Sequence, residues 1–372
     1  MRIALITPGG VDRTGSHRVI PCMLWLIERL TRAGHDVQVI ALQQEPRPDR
    51  WRLLDADVHN IGSRPRSLRG VAKLLALHRA KPFDIVHAFW AGISGLVGGG
   101  GRALADIPMV LTLPGGDVVR LPEIDYGGHL TLKSRAITAL SLRAATFVTV
   151  PSETMRDYAR SVGVDALRVP LGVALDRWPA APPRRRDPTQ PLRLLQIASL
   201  NRVKDQSTLL AAATQLREAC LPFTLDIVGE DTLGGEIHAA VSALELEDRV
   251  RLPGFQPQAR LRDWVDQADL MVVSSLSEGA PIAMLEAAIT GVPTVGTAVG
   301  HVAEYAPEAA IAVPSRDAGA LAAAILRLAG DEEFRLRLAN AAQARALVED
   351  ADFTASAFLD LYARAIHARK AA

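Results

Sequence analysis

Two glutamates eight residues apart, Glu278 and Glu286, bracket a glycine, a proline and an apolar run in the stretch SEGAPIAMLEA at 277–287. The stretch follows a strand-like DLMVVSS, and Pro281 suits the first position of a helix running through PIAMLEAAIT to Gly291. A helix start offers free N–H groups and the positive end of its dipole, which together make an anion site. Glu278 then stands at the mouth of that site, and Glu286 lies roughly 7–8 Å along the helix axis at about 1.5 Å per residue. That is the span of a diphosphate. A carboxylate accepts two hydrogen bonds from a vicinal diol, so Glu286 is a candidate for holding a ribose. The backbone from Gly279 through Ala280 and Pro281 to Ile282 would take the phosphates, and Glu278 a sugar beyond them. The plain alternative, a first-turn Glu favouring the helix dipole and a solvent-facing Glu on the same helix, has equal standing from the pair alone.

Other residues invite the same question. Lys204, in ASLNRVKDQSTLL, follows a strand pattern and precedes a helix pattern, where a cation neutralises a leaving diphosphate; a lone Lys there is more often solvated. Asp117, in TLPGGDV, is a candidate acceptor or sugar ligand, although an Asp after Gly-Gly is as readily a turn former. His87 ends the strand-like DIVHAF and points toward the same loops, with a satisfied core histidine as the safer reading. The loop from Gly9 to Gly15 lets backbone approach a phosphate, although PGG by itself is weak evidence. The glycine run at 97–101 lacks the spacing of a phosphate loop and reads as a flexible helix-to-strand turn.

These residues need loops, and the chain supplies them at regular intervals. The runs RIALIT, DVQVIAL, DIVHAF, PMVLTL and TFVTV alternate with amphipathic segments, which argues for a parallel sheet with right-handed crossovers. At 177–191, RWPAAPPRRRDPTQP continues neither helix nor strand and reads as a linker and hinge. The alternation restarts with LRLLQIAS, FTLDIVG, RVRLPG, DLMVVSS, VPTVGT and AAIAV. Two Ala-rich helices close the chain, the second carrying Phe353, Phe358, Leu359 and Tyr362 at near-helical spacing. The expected organisation is therefore a first doubly wound domain at 1–176, the linker at 177–191, a second at 192–350 and a terminal helix at 351–372. In such sheets ligands bind beyond the carboxyl ends of the strands, so two of them facing each other define a cleft.

Composition excludes several classes. With 49% hydrophobic and 22% charged residues and a net charge of +1, the 372-residue chain is neither disordered nor globally suited to nucleic acid. Cys22 and Cys220 are its two cysteines and have no metal-ligand spacing, so a reducing cytoplasm fits. No run reaches the length of a membrane span. One stretch departs from the even charge balance. Between Asp57 and Asp84 lie Arg64, Arg66, Arg69, Lys73, Arg79 and Lys81 and no acid, with Leu68, Val71, Ala72 and Leu75 interspersed. That pattern fits either a helix docking on an anionic membrane surface or, somewhat better, a sheet-covering helix with a basic outer face.

The stretch SEGAPIAMLEAAITGVPTVGTAVGHVAEYA resembles the E-x7-E region of glycosyltransferase family 4, retaining enzymes of the GT-B fold. The likeness extends to RIALITPGGVDRTG, DIVHAF, VPSETMRDYARSVGV, VPLGVALDRW, VKDQSTLLAAA, LPGF and AVPSRDAGALAAAI, and so covers nearly the whole chain. It implies two Rossmann-like domains facing a cleft and a C-terminal helix crossing back to the first. It also implies transfer of a hexosyl-type group from a nucleoside diphosphate sugar to an acceptor hydroxyl of a glycan or lipid-linked acceptor, in glycan, polysaccharide or glycolipid synthesis, without metal or other cofactor. On these positions Glu278, Lys204 and Asp117 would be catalytic. Gly15, Arg202, Gly279, Ala280, Pro281, Ile282 and Glu286 would join Lys204 and Glu278 in holding the donor sugar nucleotide, and His87 and Asp117 would face the acceptor. The chain departs from the pattern at two places. Ala198 and Ser199 stand where the family usually has a Gly-Arg pair, with Arg202 as the candidate substitute, and Pro114 stands where it commonly has a His. Those departures keep open a non-catalytic glycan- or partner-binding subunit of the same fold, and the two-domain architecture itself keeps open a nucleotide-sugar epimerase.

Overall fold

The computed structural model describes residues 1–371. It divides the chain into two compact units, Met1–Ala174 with the C-terminal segment from Ala351, and Leu175–Asp350.

In the first unit the strands are β1 (Arg2–Thr7), β2 (Asp36–Ala41), β3 (Asp49–Leu53), β4 (Ala56–Asn60), β5 (Ile85–Phe89), β6 (Met109–Thr112), β7 (Phe147–Val150) and β8 (Leu167–Arg168). They form one sheet in the order β3-β4-β2-β1-β5-β6-β7-β8, parallel throughout except where β3 runs antiparallel to β4. The β1 run RIALIT is buried at every position, as a central parallel strand covered on both faces must be. The connections are α1 (Pro21–Arg32), α2 (Arg66–Ala80), α3 (Ile93–Ala105), α4 (Leu132–Ala144) and α5 (Glu153–Ser161). Right-handed crossovers put α2 to α5 on one face of the sheet and α1 on the other. The β3–β4 hairpin was not expected. Its two-residue turn is Leu54-Asp55, both with positive φ (50° and 62°), a conformation normally marked by Asn or Gly.

The glycine run is not a turn but the body of α3. Its glycines are the contact surface with both flanking helices. A Cβ on Gly100 would meet Val71 of α2 at 2.6 Å, one on Gly101 would meet Leu74 at 2.7 Å, and one on Gly95 would meet Ser141 of α4 at 2.6 Å. The run trades helix propensity for close approach.

In the second unit β9 (Leu192–Ile197), β10 (Phe223–Val228), β11 (Val250–Gly254), β12 (Leu270–Val273), β13 (Thr294–Thr297) and β14 (Ala310–Val313) form a parallel sheet in the order β11-β10-β9-β12-β13-β14. The helices are α6 (Gln206–Glu218), α7 (Glu236–Ala243), α8 (Gln258–Gln267), α9 (Ile282–Ile289), α10 (Gly300–Tyr305), α11 (Ala318–Gly330) and α12 (Glu332–Val348). Residues 177–191 form no helix or strand and are strapped to this unit. The Trp178 indole donates to the Glu286 carbonyl and to Thr290 Oγ1, both at 2.9 Å, and Arg184 donates to the Ala268 carbonyl at 2.6 Å. The change of unit falls ahead of that stretch, between Ala174 and Leu175.

The last helix, α13 (Ala351–Ala371), belongs to the first unit and packs on α1, β5 and β6. Phe358 and Tyr362 are wholly buried, whereas Phe353 is 44% exposed. The buried face runs through Thr354, Ala355, Phe358, Leu361, Tyr362 and Ala365.

Candidate functional site

Strands β9 and β12 are neighbours although the chain places β10 and β11 between them. At such a switch point the loops leaving the two carboxyl ends diverge and open a crevice. Lys204 lies in the loop after β9 and Glu278 in the loop after β12.

The first loop is built to hold Lys204. Residues Arg202–Lys204 form a 3₁₀ turn whose N-cap Asn201 accepts from the Lys204 N–H at 3.1 Å. Asp205, in the left-handed region, then caps α6 by accepting from Thr208. The second loop is stitched to the first. The Leu276 N–H donates to the Val203 carbonyl at 2.8 Å, and Ser274 Oγ donates to the Lys204 carbonyl at 2.7 Å. Across this seam the Lys204 ammonium pairs with the Glu278 carboxylate, which also accepts from Ser275 Oγ at 2.6 Å. Lys204 is 24% and Glu278 12% exposed, so the pair is only partly hydrated and its field weakly screened.

Beneath the pair runs a buried polar chain. Gln206 Nε2 donates to Gln196 Oε1 and to the Ser199 carbonyl, each at 3.2 Å, and Gln196 Nε2 donates to Ser274 Oγ at 2.9 Å. Gly229 presses on the same loop, since a Cβ there would lie 2.0 Å from the Ala198 carbonyl oxygen. From the other side Gly300, with φ +46°, brings its backbone against the Glu278–Gly279 turn; a Cβ would lie 2.7 Å from the Gly279 oxygen. Gln196, Gln206, Ser274, Ser275 and Gly300 were not anticipated from sequence. The one available signal was the glycine in TAVGH directly after the β13 run.

Helix α9 starts at Ile282 with Pro281 as its N-cap, one position earlier than a first-helical proline, and no side chain caps its first turn. Glu286 is its fifth residue and is 2% exposed, so it is not a solvent-facing glutamate. Gln258 of α8 donates to its carboxyl Oε1. Burial raises the Glu286 carboxyl to about 8, with the Gln258 hydrogen bond acting in the opposite direction. Arg202 is not gathered into this group. Its guanidinium, 58% exposed, pairs with Glu236 of α7 at 3.0 Å.

The first unit has its own crevice, at the β1/β5 switch. Asp117 is 6% exposed, in a loop wound tightly enough that a Cβ on Gly128 would lie 2.0 Å from the Asp117 carbonyl oxygen. Its Oδ1 accepts from the Ala91 N–H at 2.7 Å, while buried Oδ2 has no hydrogen-bond partner among the described residues. Burial raises this carboxyl to about 7, against the hydrogen bonds from the Ala91 and Gly115 backbone. Gly15, with φ +67°, closes a turn through its N–H to the Asp12 carbonyl at 2.9 Å.

His87 does not face an acceptor. It is wholly buried, with Nδ1 bonded to Tyr362 Oη at 2.6 Å and Nε2 to Thr112 Oγ1 at 2.7 Å. Aromatic packing against Phe89 and Phe358 completes its surroundings. Desolvation lowers its pKa to about 3 and keeps the ring neutral, a core histidine tying α13 to the sheet.

Residues 180–345 match the family description "Glycosyl transferases group 1", and residues 19–172 match "Glycosyl transferase 4-like domain". The chain belongs to the family 4 glycosyltransferases. Among curated family relatives, the amylovoran biosynthesis glycosyltransferase AmsK of Erwinia amylovora is 32% identical over 168 residues. The match takes in 43% of this chain and 41% of AmsK, so the chain spans less than half of that relative's length. Among solved structures, sucrose-phosphate synthase from Thermosynechococcus elongatus superposes with a TM-score of 0.84 at 22% identity, over 99% of each chain. HepE of Anabaena, solved with UDP and glucose, gives 0.75 at 20% identity over 98% of this chain and 100% of its own. The fold is GT-B, two parallel-sheet α/β units.

Among the described residues no group of three His, Cys, Asp or Glu side chains is placed to hold a metal ion, and no helix is long and apolar enough to cross a membrane.

Proposed function

We propose that the chain is a retaining glycosyltransferase moving a hexosyl-type group from a nucleoside diphosphate sugar to an acceptor hydroxyl, in the synthesis of a glycan, polysaccharide or glycolipid in the cytoplasm. The observation that carries this reading is the partly buried Lys204–Glu278 pair, on two loops at the β9/β12 switch, with the uncapped start of α9 four residues further on. In HepE, a structure of the same fold, the bound molecules are UDP and glucose.

In this reading the diphosphate takes the Lys204 ammonium and the N–H groups at the start of α9. Glu278, relieved of its lysine, accepts from hydroxyls of the sugar and orients the ring. Glu286 accepts from the ribose diol once its carboxyl is ionised and shared with Gln258. As the bond from the anomeric carbon to the leaving phosphate oxygen breaks, positive charge grows on the sugar and negative charge on the phosphate. Preorganised hydrogen-bond donors aimed at the phosphate lower that barrier. The acceptor oxygen bonds to the anomeric carbon from the same face, and its proton passes to the leaving phosphate. Asp117 Oδ2, buried and unpartnered, is assigned to an acceptor hydroxyl. No metal has a part in this scheme, and turnover in EDTA equal to that in magnesium is its corollary.

The test is a thermal-shift panel of UDP, GDP, ADP and their sugar conjugates on the wild type and on Glu286→Ala, followed by product analysis with the stabilising donor. Ligand at a hundred times its dissociation constant stabilises by about 2.7 kcal/mol. One nucleotide series should raise the melting point of the wild type and much less that of the variant. If no nucleotide shifts the wild type at millimolar concentration, the donor reading fails and the chain is a binding subunit of the same fold.

A further inference from the structure

Helices α2, α3 and α4 lie side by side on one face of the first sheet, and their outward surface differs from the rest of the protein. None of the three carries an Asp or Glu. On α5 and α8, by contrast, the arginines are answered along their own helix. On α5, Arg156 pairs with Glu153 and Arg160 with Asp157; on α8, Arg262 pairs with Asp266. On α2 and α4, exposed Arg69, Lys73, Arg79, Lys133, Arg135 and Arg143 enter no ion pair among the described residues. With 42 basic and 41 acidic residues in the whole chain, this is a segregation of charge within a balanced protein.

The same surface leaves apolar side chains in water. Leu68 is 70%, Leu104 68%, Leu132 82% and Leu140 55% exposed. Leu68 and Leu132 begin α2 and α4, and Leu104 and Leu140 lie near the other ends of α3 and α4. The α3 glycines let the flanking helices close on it, which joins the three into one surface. Four exposed leucines interspersed with unpaired cations on one face fit a surface that meets an apolar phase as well as negative charge.

We propose that the α2–α3–α4 face docks on an anionic phospholipid bilayer, its cations at the headgroup phosphates and its leucines at the acyl boundary. Binding would be peripheral and does not depend on the catalytic reading. Each basic side chain at such a surface is worth roughly fivefold in the partition constant, so reversing three changes it by at least about two orders of magnitude.

The experiment is co-sedimentation of the full chain with vesicles of pure phosphatidylcholine or with about a third phosphatidylglycerol, at about 50 mM and 500 mM salt. The wild type should pellet with the anionic vesicles at low salt and be released at high salt. The triple variant Arg69→Glu/Lys73→Glu/Arg135→Glu should remain in the supernatant at low salt, and Leu132→Ser/Leu140→Ser should pellet less than the wild type there. The altered side chains are exposed, so circular dichroism and melting point should match the wild type. A control with equal charge change elsewhere, Arg160→Glu/Arg260→Glu/Arg337→Glu, should pellet as the wild type does. The proposal is overturned if the wild type stays in solution with anionic vesicles at low salt, if the triple variant pellets fully, or if the control loses binding equally. Retention of a duplex RNA by this face, with no vesicle binding, would likewise overturn it and assign the face to nucleic acid.

Discussion

Replacing Glu286 by Gln removes a titrating proton and keeps the shape of a side chain that is 2% exposed. In the folded protein the carboxyl is raised from 4.5 to about 8 by burial. Because the folded value lies above the unfolded one, the native state holds an extra proton between them. The stability this lends is fully present below about pH 4.5 and is lost as pH rises through about 8. At about 1.4 kcal/mol per pKa unit the full span is on the order of 5 kcal/mol. Between pH 5.5 and 7.5 the wild type should therefore lose about 3 kcal/mol relative to Glu286→Gln. Every other titrating group cancels in that difference. The assay is urea unfolding followed by circular dichroism, wild type and variant side by side at half-unit pH steps. A difference in stability that stays flat from pH 5.5 to 7.5 would show that the carboxyl is ionised in the fold and refute the argument from burial.

Other consequences are open to simpler measurements. Lys204→Ala should cost roughly two to three orders of magnitude in turnover, as expected for removal of a preorganised group facing a leaving anion, with an unchanged circular dichroism spectrum. Arg202→Ala should change turnover less than twofold, because the guanidinium is spent on exposed Glu236; a tenfold loss would return Arg202 to the site. Asp117 is protonated below about pH 7 by burial, so kcat/KM of the wild type should rise through about pH 7 as the carboxylate becomes able to accept from the acceptor hydroxyl. Asp117→Asn should lower and flatten that profile. Gly100→Leu should destabilise by about 1–3 kcal/mol in thermal unfolding, since its Cβ alone would meet Val71 at 2.6 Å.

Sequence reading reached the parallel strands and the loops at their ends because both leave local marks. Strands buried on both faces are short β-branched runs, and the loop at 277–281 announces itself with Glu, Gly and Pro. What it missed depends on contacts made at long range or on unmarked turns. The β3–β4 hairpin turns on Leu54-Asp55, without the Asn or Gly that flags positive φ. The glycines at 98–101 look locally like a break, and only helices on both sides give them a helical role. The burial of Glu286 under Gln258, and of His87 between Thr112 and Tyr362, is set by residues 28, 25 and 275 positions away. Side-chain type and spacing carry no trace of such partners. Lys204 and Glu278 were legible as candidates; their pairing, 74 residues apart, was not.

The hydrogen bond between His87 and Tyr362 spans 275 residues, with the whole second unit encoded between its ends. At roughly 5–20 residues per second on the ribosome, His87 waits on the order of 15–55 seconds for its partner to be made. Until then the sheet surface that α13 will cover, with His87 and Phe89 on it, has no helix to shield it. The second unit, continuous in sequence, is free to fold during that interval. The nascent chain therefore completes its middle before its beginning, and truncation within α13 should expose the first unit to chaperones and proteases while leaving the second intact.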